Sequence, residues 1–464
     1  MEIFFAFNLL KKVSREVLLA IILVSLAGSL NAQENGWVKL FNGKDLSGWI
    51  QRGGTAKYTV ENGIITGTTV PDSPNSFLCT EKNYGDFILE LELFVDTSMN
   101  SGIQFRSLSL PEYQNGRVHG YQMEVDPAKR AWSGGIYDEG RRGWLYTLES
   151  NPEGKKAFKN NQWNKYRIEA IGNSIKTWIN GIPTANIIDN VTPSGFIALQ
   201  VHSVDAAKPW KVGTQVKWKN IRIMTSNLEA NRKKDKTQIV QINHIPNTLT
   251  SFENEQGWKL LFDGVSTKGW RGAYKEKFPE NGWEVKDGVL SVLSAEGKES
   301  TNGGDIVTVD EYGDFELSFE FKITEGANSG VKYYVTEKEN NQGSAIGLEY
   351  QILDDVRHPD AKLGRDGNRT LSSLYDLIPA ANKRPNPIGQ WNTGRVVSKN
   401  NHVEHWLNGF KVLEYERGSK EFRDIVANSK YKVWPNFGEA PKGRILLQDH
   451  GDMVFFRSIK IRTF

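Results

Sequence analysis

One cysteine, Cys79, occurs in the 464 residues, so no internal disulfide can form and no cysteine–histidine metal cluster can be built. Charge of one sign is also missing. Lys plus Arg is 58 and Asp plus Glu is 55, a formal net charge of +3, which gives no concentrated basic face for nucleic acid or a membrane surface. There is no Gly-x-Ser-x-Gly elbow, no glycine-rich phosphate loop and no His-Glu-x-x-His, so nucleotide and nicotinamide chemistry lack their usual carriers. Sustained helical periodicity is absent throughout the region after residue 35. The one long apolar run, Val17 to Val24, follows Lys11, Lys12 and Arg15 and ends in small residues near Ala32. That pattern predicts a secretory signal peptide over 1–32, and hence a periplasmic or secreted protein with no membrane span after cleavage.

Glycine (44) and tryptophan (14) are abundant, and short alternating runs dominate, as in all-β chains with many tight turns. The length exceeds one ordinary core. The chain also states its pattern twice. "GWVKLFNGKDLSGW" (36–49) returns as "GWKLLFDGVSTKGW" (257–270), "YGDFILELELFV" (84–95) as "YGDFELSFEFKI" (312–323), and "NSGIQFR" (100–106) as "NSGVKYY" (328–334). "QWN", "WING"/"WLNG" and "LQVH"/"LLQDH" follow in the same order. A unit this long is a duplicated domain rather than a solenoid repeat. The expected layout is 36–225 and 257–464, joined by a polar linker over 226–256 whose charge run Arg232–Lys236 reads as solvated. Each copy reads as an all-β two-sheet sandwich of the jelly-roll kind, with Asn-Gly hairpin turns at 180–181 and 408–409.

The candidate site follows from strand alternation. In "GLEYQILDD" (347–355), Leu348, Tyr350 and Ile352 share one face, and Glu349 and Gln351 the other. Its counterpart, "GYQMEVDP" (120–127), sets Tyr121, Met123 and Val125 against Gln122, Glu124 and Asp126. The adjoining strands add Gln104 and Arg106 in one copy, and Lys332 and Tyr334 in the other. His202 and His450 occupy matching places two residues after a Gln, the second being Gln448. Carboxylate, amide, cation and imidazole on one sheet face suit sugar hydroxyls. Tryptophans in nearby loops, Trp132, Trp144, Trp391 and Trp434, fit either that face or the core.

These residues resemble a known family. "LFNGKDLSGW", "YGDFELSFEFK", "NSGVKYY", "GLEYQILDD", "SLYDLI", "QWN", "VEHWLNG" and "LLQDHG…FRSIKI" resemble the 3-keto-disaccharide hydrolase domain, also described as 3-keto-glucoside 1,2-lyase and 3-keto-2-hydroxy-glucal hydratase. The resemblance covers both copies and implies a tandem of concanavalin-like jelly rolls acting on oxidised (3-keto) glucosides or other glycans. It implies abstraction of the C2 proton, elimination of the glycosidic oxygen from C1, and hydration of the resulting glycal. The family pattern Gly-Tyr-Glu-x-Gln-Ile-x-Asp falls on Gly347, Leu348, Glu349, Gln351, Ile352 and Asp354. The first copy departs from it, with Gln122 and Glu124 in exchanged positions. On this reading Glu349, Asp354 and His450 form the acid/base set, and Lys332, Gln351 and Gln448 hold hydroxyls or the enolate. Arg369 and Tyr375-Asp376 stand on neighbouring loops, and Arg106, Glu124, Asp126 and His202 are the first copy's equivalents. The residues name no definite cofactor, and a divalent metal ion on Glu349, Asp354 or His358 could serve as electrophile. The rival reading is a tandem carbohydrate-binding protein of the lectin class, in which two weak sites gain avidity, or one catalytic and one binding domain. Titratable groups converging on the polar face favour the enzyme.

Overall fold

A computed structural model describes residues 36–464, apart from 96–98, 235–237, 300, 338–345 and 435. The leader expected over 1–32 lies outside the described residues. Among them, no helix is long and apolar enough to cross a membrane. The chain divides into two compact units, one ending at Val240 and the other beginning at Gln241.

Each unit is two antiparallel sheets. In the first, one sheet runs Ile182–Ile188, Ser174–Ile179, Asn164–Ile171, Phe87–Val95, Gln215–Met224, Ile64–Thr68, Lys57–Glu61. The other runs Gly143–Tyr146, Ile136–Glu139, His119–Val125, Ser101–Leu108, Phe196–Val201, Ser76–Thr80, Trp49–Gly53. In the second unit the corresponding orders are Trp283–Lys286, Val289–Val292, Val454–Thr463, Phe315–Ile323, Asn392–Lys399, His402–Leu407, Phe410–Glu416, and Trp270–Gly272, Ile306–Thr308, Arg444–Leu447, Asn328–Thr336, Ile346–Leu353. The alternation of Phe315–Ile323 explains the layering. Phe315, Leu317, Phe319 and Phe321 are fully buried against Tyr333, Leu348, Tyr350 and Ile352 of the facing sheet. Each such side chain contributes about 1.5–3 kcal/mol by leaving water.

The two hairpin turns form as the Asn-Gly signal requires. Asn180 and Gly181 have φ of 50° and 84°, and Asn408 and Gly409 have 49° and 80°, the left-handed pair of a primed turn. Their side chains also repeat a contact. Asn180 accepts the Lys165 N–H at 2.9 Å and donates to Asn164 at 2.8 Å, while Asn408 accepts the Thr393 N–H at 2.8 Å and donates to Asn392 at 2.8 Å. The recurring "QWN" thus supplies the Asn that anchors each hairpin.

The segment 226–256 differs from a solvated linker. Lys233 N–H donates to Glu169 at 2.8 Å, which ties the start of the segment to the first unit. In the second unit Thr250 caps the short helix Ser251–Glu255 in a capping box, and Glu253 is buried against Lys460. Polar composition here serves caps and ion pairs rather than hydration alone.

Candidate active site

The strand Ile346–Leu353 obeys its pleat. Leu348, Tyr350 and Ile352 have no exposure. Tyr350 meets the Phe319 ring edge-on at 5.3 Å, and its hydroxyl lies 2.7 Å from that of Ser372. Glu349 and Gln351 project to the opposite face, yet they are only 5% and 1% exposed. That face is therefore not a solvated one. Tyr375, Lys430, Tyr431 and Trp434, from two loops, join Glu299, Asn328, Lys332, Gln448 and His450 around a cavity of about 190 Å³ against it.

Register places the charges. Lys332 is directly opposite Glu349 across the strand pair, with Nζ 3.9 Å from Oε2, and Gly330 is opposite Gln351. A Cβ at Gly330 would come within 2.4 Å of Glu349 Oε1, so glycine there makes the room this carboxylate occupies. Burial pulls Lys332 down, but Glu349, Asp305 and Glu299 outweigh it, and the ammonium ends above its ordinary range. Burial pushes Asp305 up to about 6, against the opposing pull of Lys332.

Several polar atoms on this face have no protein partner. They are Gln351 Oε1, Gln448 Oε1 and His450 Nδ1, all buried. Leaving such an atom unsatisfied costs about 1–3 kcal/mol, so the face favours a ligand that brings hydrogen-bond donors. His450 Nε2 lies 3.8 Å from Glu299 Oε2. Its turn is pinned by Asp449, whose carboxylate accepts the N–H groups of Gly304 at 2.9 Å and Gly451 at 3.0 Å.

Of the residues singled out in the second copy, Glu349, His450, Lys332, Gln351, Gln448 and Tyr375 share the cavity wall. Arg369 does not line it. Instead it donates to Asp360 at 2.9 Å and to Asp376 at 2.7 Å. Asp360 in turn accepts the Tyr375 hydroxyl at 2.8 Å, and Asp376 the Lys430 N–H at 2.9 Å. Arg369 therefore positions both loops. Asp354 also lies off the wall. The strand ends at Leu353, and the Asp354 carboxylate accepts N–H groups from Gly326, Val356 and Arg357, which hold it below the usual carboxylate range despite the opposing effect of burial. Its carboxylate organises a loop. Glu349, Asp354 and His358 form no common ligand group among the described residues. Asn328, Glu299, Lys430 and Tyr431 were not singled out from the sequence, and Trp434 was named only as a loop tryptophan that fits the face or the core. The repeated "NSG" motif marks Asn328, while Lys430, Tyr431 and Trp434 fall in a segment with no counterpart in the first copy.

In the first copy Arg106 is a brace, not a ligand group. It is buried with φ of 45°, and donates to Gly85 O and Gly172 O at 2.8 Å each and to Asp86 at 2.9 Å. Asp126 is bound to Arg130 and accepts the Ala128 N–H at 3.2 Å. His202 turns its Nδ1 to Ser203 O at 2.8 Å. Glu124 is buried, accepting from Asn100 at 2.6 Å and from Gln122 at 2.9 Å, and burial pushes it up to about 7.

The model of the 3-keto-alpha-glucoside-1,2-lyase-like domain matches residues 36–224 and 257–462. A 3-keto-disaccharide hydrolase of Bacteroides thetaiotaomicron is 37% identical over 228 residues, which span 45% of this chain and 78% of that protein. A crystal structure from Parabacteroides distasonis, described as a candidate glycosyl hydrolase, shares 33% identity over 47% of this chain and 99% of its own, with a TM-score of 0.42. A second from the same organism shares 29% over 45% and 99%, with a TM-score of 0.35. The chain belongs to the family of 3-keto-alpha-glucoside-1,2-lyase-like domains and carries that domain twice.

Proposed function

We propose that the second domain is a carbohydrate hydrolase that cleaves 3-keto-glycosides by elimination and hydration. The ketone at C3 acidifies the C2 hydrogen, because the electron pair left behind delocalises onto the ketone oxygen. Glu349 takes that proton. Lys332 stabilises the enolate oxygen, as a preorganised cation does where charge develops. The enolate then collapses, C1=C2 forms and the C1–O bond breaks, with His450, beside Glu299, protonating the departing oxygen. Water adds across the conjugated glycal to give the free 3-keto sugar, so the net reaction is hydrolysis. Gln351 and Gln448 hold ring hydroxyls. A cavity of about 190 Å³ accommodates one sugar ring, with the leaving group outside.

The observation that carries this reading is the convergence of Glu349, Lys332 and His450 on one cavity wall, beside buried amide oxygens that lack a protein partner. A buried carboxylate opposite a buried ammonium adds to such a face a proton acceptor and a cation for a developing negative charge. The setting we propose is periplasmic or extracellular, on the leader pattern of residues 1–32.

The test is turnover of a 3-keto-glucoside by the full chain, followed by the enone absorbance of the glycal and by release of the alcohol. Glu349→Gln is nearly isosteric. It is expected to melt with the parent and to lower turnover by about 10²–10⁴-fold, the usual worth of a placed acid/base group. Parental turnover in a normally folded Glu349→Gln protein contradicts the proposal.

A further inference from the structure

We propose that His358, His450 and Asp452 form a binding site for one divalent transition-metal ion at the edge of the cavity. Each offers one ligand atom, and these atoms all lie within 4.8 Å of one another. Two imidazoles and one carboxylate suit Mn²⁺, Fe²⁺, Co²⁺ or Zn²⁺, with coordination positions left for a substrate, whereas Mg²⁺ and Ca²⁺ prefer all-oxygen shells.

The three side chains are held on two well-anchored segments, His358 on one and His450 and Asp452, two residues apart, on the other. His358 is tied by its N–H to Asp354 O at 3.0 Å and caps the short turn Pro359–Lys362. The carboxylate of Asp354 fixes the start of that same loop, which gives this residue a supporting role. Asp452 accepts the Asn328 N–H at Oδ2, 3.0 Å away, so one oxygen is oriented by the backbone and the other remains for a ligand. His450 follows the pinned Asp449, and its Nδ1 is buried with no partner. The two imidazole rings are perpendicular, with centroids 6.0 Å apart. Metal binding trades one existing contact. Asp360 N–H donates to His358 Nδ1 at 3.2 Å, and that bond is lost whichever ring nitrogen coordinates, because coordination through Nε2 puts the proton on Nδ1.

His450 belongs both to this group and to the cavity wall, so with the ion bound it serves as a ligand and the proton for the departing oxygen comes from a water on the ion. Resting on the function proposed above, the ion has a natural substrate. A 3-keto-glucoside carries a ketone oxygen on C3 and a hydroxyl on C2, adjacent donors that close a five-membered chelate. A cation there withdraws electrons from the ketone and so aids loss of the C2 proton, the Lewis-acid role of a catalytic metal.

The experiment titrates Co²⁺ into the chelator-dialysed full chain, reading the visible d–d absorbance, the binding isotherm and the melting temperature. The proposal expects one tight Co²⁺ per chain with a raised melting temperature. His358→Gln and Asp452→Asn should each weaken that binding at least tenfold, whereas His402→Gln, in a separate surface group with Glu404 and Glu414, should leave it unchanged. Either of the first two variants suffices if the other fails to fold. Absence of a Co²⁺ band and of a melting shift at millimolar ion overturns the site, as does undiminished binding in both ligand variants. The two proposals fail separately. Normal Co²⁺ binding with no turnover of a 3-keto-glucoside defeats the function and leaves the site standing. Full turnover after chelation, with no Co²⁺ bound, defeats the site and leaves the function.

Discussion

Where the second domain sets Lys332 opposite Glu349, the first sets Gln104 opposite Gln122, and where the second sets Gly330 opposite Gln351, the first sets Gly102 opposite Glu124. In both, the glycine makes room for the neighbouring long side chain: a Cβ at Gly102 would come within 2.3 Å of Gln122 Cδ. In the first domain Gln104, not a cation, stands opposite Gln122, and the side chains around it form a hydrogen-bonded chain, although Gln200, the counterpart of Gln448, keeps a buried Oε1 without a partner. Ser107 donates to Gln104 at 2.9 Å, Gln104 to Gln122 at 2.6 Å, Gln122 to Glu124 at 2.9 Å, and Asn100 to Glu124 at 2.6 Å. In the second, Gln351 reaches Asn328 only at 3.3 Å and keeps a buried oxygen without a partner. One exchange of Glu and Gln, with Lys replaced by Gln, thus joins Gln104, Gln122 and Glu124 in a hydrogen-bonded chain where the second domain leaves Gln351 Oε1 without a partner. The loops diverge in step. Between Glu416 and Arg444 the second copy inserts the segment bearing Lys430, Tyr431 and Trp434, where the first passes directly from Ile188 to Phe196.

Removing the cation should have the largest effect. Lys332→Met leaves Glu349 and Asp305 buried without their counter-charge, which costs about 3 kcal/mol of second-domain stability and at least a hundredfold in turnover. Calorimetry and kinetics on the full chain check both. Gln104→Met in the first copy should change neither the rate nor the second-domain melting. Next comes the pH response of the first domain. Glu124 titrates near 7 folded and near 4.5 unfolded. Between those values the folded domain keeps a proton that the unfolded chain releases, so stability falls as pH rises, by about 3 kcal/mol over the window. The melting advantage of Glu124→Gln over the parent should therefore grow from pH 4.5 to 7 and then level off. A constant difference would show that Glu124 is not held neutral. The smallest effect is expected at the rim. Trp434→Ala should raise KM about five- to tenfold with kcat little changed, on the order of 1 kcal/mol for a truncated aromatic anchor. A fall in kcat alone would move Trp434 from binding to chemistry.

Much of this was legible in the sequence, and the failures have local causes. Period-two alternation with Leu348, Tyr350 and Ile352 in the core fixed the register, so Glu349 and Gln351 had to share the other face. Lys332 and Gln104 followed from cross-strand pairing. Arg106 was misjudged because the register shifts between Phe105 and Leu108, and the extra residue turns the side chain inward. Its twin Tyr334 sits at φ 52° past the same point and donates to Gly313 O, as Arg106 donates to Gly85 O. Asp354 came with the family pattern rather than from alternation, and the strand stops one residue before it, where its carboxylate holds a loop. Lys430 and Trp434 carry no period at all. Their place on the wall depends on how an insertion folds back, which no local pattern encodes.

The account's central claim is that the order of Glu and Gln along one strand decides which domain is catalytic. Exchanging the two residues within the second domain, as Glu349→Gln with Gln351→Glu, keeps composition, charge and strand while copying the first domain's order. The measurement is turnover of a 3-keto-glucoside by this full-length variant, beside the mirror variant Gln122→Glu with Glu124→Gln. The account predicts at least a hundredfold loss for the first, with melting preserved, and the parental rate for the second. Parental turnover in the second-domain exchange, or loss of turnover in the first-domain exchange, would contradict it.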